Sequence, residues 1–255
     1  MKLSKVIGMV SWFPNDYRRE SRINQVQNTF NQLGELFPDL PIMIIAQNWQ
    51  DAKFVIKNPT IIYRYPEGLG ILGARKELRK KFLGSKYDYL IMVDDDVIIH
   101  CEKQGLIDEY LKKIDEHPHG FACVKKDDTV PNRRSNHPYQ PYAMAELNLC
   151  TISRFLYEKE PMVEVDASKF ECYEDGIFSA LLHYKYSEYE WDIPKGLYHN
   201  QYNSDENKAV STWFKKFEDG KEKSMSKRYC CLLLYIHEHH DLPVEFLNYI
   251  LKTVK

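Results

Sequence analysis

Much of what would place a 255-residue chain at a membrane or outside the cell is missing here. The longest apolar run, Cys230–Ile236, falls far short of the ~20 residues a membrane helix needs. The N-terminal MKLSKVIGMVSW has no extended apolar core before a cleavage site, so no secretory signal is expected. The formal charge is −2, with 35 basic against 37 acidic residues, which gives no general attraction to nucleic acid or membrane surfaces. The six cysteines form no CxxC pair and lie among apolar segments, as expected for reduced, buried thiols in a cytoplasmic protein rather than a disulfide framework. His237-Glu238-His239-His240 is not a zinc-binding HExxH, because Asp241 stands where the second histidine belongs. There is no internal repeat and no low-complexity tract.

What is present is a set of short apolar runs separated by helical periods. Lys5–Ser11, Pro41–Ala46 and Thr60–Tyr65 read as strands, and a fourth run, Tyr89–Val93, leads straight into Asp94, Asp95 and Asp96. Continuous apolar runs of this length suit strands buried on both faces, as in parallel sheets covered by helices. Ile23, Val26, Phe30, Leu33 and Phe37 recur at helical spacing after the first strand, as do Ile71, Ala74, Leu78 and Phe82 after the third. This alternation predicts an α/β fold with a mainly parallel sheet, whose ligands bind at the carboxyl ends of the strands. Ser11–Asp16, Gln47–Trp49 and Asp94–Asp96 would then share one rim. Three carboxylates at the end of a buried strand need compensation, and a hard divalent cation is the usual means.

Further along, Met144–Tyr157 reads as an apolar strand or strand pair. Lys125–Pro141 reads as a long polar loop, Glu174–His183 as a helix, and Gly196–Asn203 as a loop carrying His199. The last segment is helical, with Val244, Leu247, Leu251 and Val254 on one face.

Taken in order, the nucleotide-sized sheet half, Asp94-Asp95-Asp96, Glu174-Asp175 at a helix start and the later His199 resemble the GT-A glycosyltransferases of the family-2 type, over roughly residues 5–205. The resemblance implies a GT-A, Rossmann-like domain over residues 1–223, divided into a nucleotide-sugar half (1–126) and an acceptor half (127–223), with a C-terminal helical extension at 224–255. It implies a divalent metal, manganese or magnesium, held by Asp96, Asp94 and His199. Ser11, Trp12, Phe13, Gln47, Arg75, Asp94 and Asp95 would bind the donor. Gln47 stands where many members carry an acidic residue that reads the base, and Asp95 is the middle position, expected to tolerate replacement best. Asp175, with Glu174 beside it, would be the catalytic base of an inverting enzyme.

The activity implied is transfer of a sugar from a nucleoside-diphosphate sugar, a UDP-sugar being favoured, to an acceptor hydroxyl. The acceptor could be a glycan, a lipid-linked sugar, a protein or a modified nucleic-acid base. A retaining enzyme of the same fold and a sugar nucleotidyltransferase are the rival readings. The absence of a Gly-rich phosphate loop near Ser11 disfavours the second.

Overall fold

The computed structural model describes residues 2–13, 15, 17, 19–50, 52–123, 149–160, 178, 181, 182, 184–201, 243–245 and 248. A six-stranded sheet in the order β3-β2-β1-β4-β7-β6 forms its centre. Strands β1 (Lys5–Trp12), β2 (Ile42–Gln47), β3 (Thr60–Tyr65) and β4 (Tyr89–Val93) run parallel to one another. β7 (Leu149–Ser153) enters antiparallel between β4 and β6 (Phe121–Cys123).

Two apolar cores follow from the alternation of side chains along these strands. Ile7, Met9, Ile42, Ile44 and Ile91 face α1 (Arg19–Leu36) and α3 (Leu106–Glu116), where Val26, Phe30, Leu33, Tyr110 and Ile114 cover them. Val6, Met43, Ile45 and Leu90 face α2 (Gly70–Leu83), packing on Leu72, Leu78 and Phe82. Both faces of the sheet are thus covered, which explains why β2 and β4 are uninterrupted apolar runs.

Two sequence expectations are corrected, while the buried strand ends at the aspartates as expected. β4 ends at Val93, Asp94–Asp96 form a turn, and β5 (Val97–Cys101) pairs antiparallel with β8 (Leu197–Gln201) in a separate two-stranded sheet. His199 is therefore on a strand, opposite Ile99, and not in a loop. Within Met144–Tyr157, the described strand ends at Ser153, whose Oγ accepts from the Leu156 amide and starts α4 (Arg154–Lys159). A serine N-cap of this kind ends a strand despite the apolar residues that follow. Arg154 then closes the far end of α2, donating to the carbonyls of Phe82, Leu83, Ser85 and Tyr87.

The segment leading to β8 is held to β6 by close backbone approach at Gly120. A Cβ there would lie 2.8 Å from the Tyr189 carbonyl oxygen and 2.6 Å from the Trp191 ring. Gly120→Ala is expected to cost about 1–3 kcal/mol through overpacking, read as a lower urea midpoint at unchanged m-value. The helix expected at Glu174–His183 and the C-terminal extension lie largely outside the described residues; Phe178, Leu181 and Leu182 are buried against the α2 side.

Candidate active site

The parallel strands bring the ends of β1, β2, β3 and β4 to one rim, and backbone bonds stitch that rim together. Phe13 N donates to Gln47 O at 3.3 Å, and Asn48 N donates to Tyr65 O at 3.0 Å. Asn48 adopts a left-handed conformation, φ 56°, which asparagine tolerates better than most residues. Its side-chain amide donates to Phe13 O and Asn15 Oδ1, at 2.6 and 2.7 Å. Gln47 is buried, and its Oε1 accepts from Leu69 N at 2.6 Å, which ties the end of β2 to the loop entering α2. The side chains after β2 therefore hold rim loops together.

The acidic turn is the centre of the rim, and its three carboxylates are not equivalent. The side chains of Asp94 and Asp96 are 24% and 32% exposed, whereas that of Asp95 is 5% exposed. Arg22, in the first turns of α1, forms an ion pair with Asp95 through Nη2 and reaches Asp96 Oδ2 at 3.5 Å through Nη1. Arg75, buried on α2, lies 3.5 Å from Asp94 Oδ1. Burial pushes the Asp95 carboxyl up to about 6, with Arg22 opposing the shift and Asp96 adding to it. Burial works against the Arg22 charge, but Asp95, Asp96 and Asp94 outweigh it and raise its pKa.

α1 is also bonded to the turn further along its length. Thr29 Oγ1 donates to Asp95 O at 3.1 Å. Gln32 Nε2 donates to Ile99 O at 2.8 Å, while Gln32 Oε1 accepts from Ile99 N at 2.9 Å. Arg22, Gln25, Thr29 and Gln32 thus form a polar stripe at spacings of three, four and three, beside the apolar stripe that covers the sheet. Sequence reasoning missed this stripe. The signal was available: three acids at a buried strand end require positive charge, and the helix leaving the same rim carries Arg22.

The other expected site residues divide by burial. Trp12 is partly exposed, and its indole nitrogen stands 3.9 Å from where a Cβ on Gly68 would lie, at the mouth of the loop before α2. Ser11 is buried and accepts from Trp49 Nε1 at 3.2 Å. Phe13 is fully buried and stacks on Trp49 at 5.5 Å, so its ring belongs to the core. Asp95 is the most enclosed of the three carboxylates, so its replacement is expected to cost stability, against the expectation that it is the most tolerant. Glu174 and Asp175 lie outside the described residues.

The expected metal ligands Asp94, Asp96 and His199 do not gather into one group; among the described residues no three His, Cys, Asp or Glu side chains do. His199 is buried opposite Ile99 on β8. What the turn offers is a pair of partly exposed carboxylates, at Asp94 and Asp96. That donor set fits magnesium or manganese, which bind through one or two carboxylates and complete their shell with water and substrate phosphates.

The strand order, the antiparallel β7 beside β4 and the acidic turn at the carboxyl end of β4 define a GT-A-like fold, a mainly parallel sheet flanked by helices. Among solved structures, it is similar to S. aureus TarS, with a TM-score of 0.48 and 10% identity over 82% of this chain. It is also similar to S. aureus TarS 1–349 in complex with UDP-GlcNAc, with a TM-score of 0.40 and 12% identity over 70% of this chain. This chain spans 38% of the first and 52% of the second. No protein-family model and no curated protein matches the sequence. Likeness at this level carries no statement about activity, and the fold assignment stands on the topology. No helix among the described residues is long and apolar enough to cross a membrane.

Proposed function

We propose that this chain is a metal-dependent glycosyltransferase that moves a sugar from a nucleoside-diphosphate sugar to an acceptor hydroxyl, with inversion and with a UDP-sugar as the favoured donor. The observation that supports it is the acidic turn: Asp94 and Asp96 are partly exposed at the carboxyl rim of a parallel sheet, with Arg75 beside Asp94. Such a rim is where open α/β sheets bind ligands. Asp94 and Asp96 would hold the cation, which when bound neutralises the charge developing on the departing diphosphate. Arg75 is the cationic partner on the same side, and preorganised positive charge there favours the transition state. Trp12 is a partly exposed aromatic on this rim and the residue proposed to meet the nucleoside.

Asp175, with Glu174 adjacent, is the proposed general base for the acceptor hydroxyl. Phe178, three positions beyond Asp175, lines the same small apolar cavity as Arg75, Met92 and Tyr157. Asp175 itself lies outside the described residues, and its role is proposed from its place in the sequence. The proposed transferase domain spans residues 1–223, with 224–255 proposed as a helical extension.

The test is thermal unfolding with UDP-, GDP- and dTDP-sugars, with and without manganese, followed by assay of nucleoside-diphosphate release. A binding donor raises the melting temperature through mass action. No shift with any donor in the presence of metal would refute the proposal. Formation of pyrophosphate from a nucleoside triphosphate and sugar phosphate would favour the nucleotidyltransferase reading. Asp175→Asn is expected to lower transfer by about 10²–10⁴-fold at unchanged donor binding. Transfer that survives this substitution would point to a retaining mechanism.

A further inference from the structure

Arg22 has no assigned part in the sugar transfer proposed above, yet it is the residue most closely engaged with the acidic turn. Its guanidinium divides between Asp95 and Asp96, and its Nη1 also donates to Gln25 Oε1 at 3.2 Å. Thr29 holds the Asp95 carbonyl from the same helix. The guanidinium is therefore fixed beside the turn by α1 itself. The Asp95 side chain is 5% exposed and paired with Arg22, while that of Asp96, 32% exposed, meets the same guanidinium at 3.5 Å.

We propose that Arg22 is a positioning residue for the divalent cation. It withdraws Asp95 from the ligand set and, as a fixed positive charge beside Asp96, keeps the cation weakly bound until a diphosphate adds its own negative oxygens. A cation on Asp96 lies against a like charge and is repelled by it, whereas a diphosphate at the same place is attracted by both positive charges. Arg22 therefore lowers the affinity for the cation alone. This rests on the cation reading of Asp94 and Asp96.

The test uses the full chain, manganese as the cation and UDP as the diphosphate. Unbound manganese is measured by electron paramagnetic resonance, and unfolding is followed in the same samples. Wild type is compared with Asp95→Asn and with the double variant Arg22→Gln/Asp95→Asn. The single variant keeps Arg22 on Asp96. The double variant removes the pair as neutral isosteres, so neither partner is left as a buried unpaired charge.

Manganese alone is expected to bind the double variant on the order of tenfold more tightly than Asp95→Asn. A purely structural Arg22 would change melting temperature without changing manganese affinity. Equal affinity in the two variants would therefore overturn the proposal. Should the double variant not fold, Arg22→Gln supplies the check: manganese affinity equal to that of wild type overturns it equally. Manganese that fails to bind any of these proteins, with or without UDP, refutes the cation reading itself, a result distinct from equal binding.

Discussion

Asp96→Asn is expected to lower sugar transfer by about 10²–10³-fold while lowering stability by less than about 1 kcal/mol. The two effects separate because the Asp96 side chain is 32% exposed and its contact with Arg22 is 3.5 Å long. A partly solvated contact of that length contributes little to folding, whereas a carboxylate that positions a cation acts fully in the transition state. Asp94→Asn is expected to follow the same pattern, its carboxylate being 24% exposed beside Arg75. Initial rates at saturating manganese, together with urea melts, decide the matter. A large loss of stability with little loss of rate would mean that Asp96 serves the fold and not the chemistry.

Asp95→Ala should give the opposite result: a loss of about 2–4 kcal/mol of stability, as expected when a buried ion pair loses one partner. The figure lies toward the low end because Arg22 retains Asp96. Asp95→Asn should cost less, since it keeps the shape and removes a charge that burial penalises. The sign of the pH dependence follows from the raised pKa. The folded state holds the Asp95 proton more tightly than the unfolded chain, so the stability linked to this group is fully present below its ordinary value of 3.8 and is lost as pH rises through about 6. Wild type should show this decline between about pH 4 and 6, and Asp95→Asn should lack it. Urea midpoints across that range, with the Asn variant as reference, measure it. Identical pH profiles would show that Asp95 titrates as in the unfolded chain.

β2 and β4 were the most legible strands because burial on both faces leaves little room for polar residues, and the runs at Ile42–Ala46 and Tyr89–Val93 carry that mark. The acidic turn was legible because it interrupts such a run. Arg22 was legible only as a cation on the helix leaving that rim, and not in its pairing, since a polar stripe at helical spacing looks the same in sequence whether it faces water or a carboxylate. β8 escaped for a different reason. Leu197–Gln201 is short and mostly polar, and its partner β5 lies about a hundred residues earlier, so no local pattern announces the pairing. The start of α4 was hidden because apolar residues continue across Ser153, and only the cap bond separates strand from helix.

Gln32 gives the acidic turn a history during folding. Its side-chain amide occupies both the N–H and the C=O of Ile99 across 67 residues of sequence, as a neighbouring strand would. The turn between β4 and β5 therefore cannot acquire its final shape from local contacts. It waits for α1 to dock, and closing so long a loop is slow compared with forming either helix or hairpin. The Ile99 amide proton is thus a reporter of site assembly. In pulsed hydrogen exchange during refolding it should become protected together with the α1 face, and later than the amides within α2.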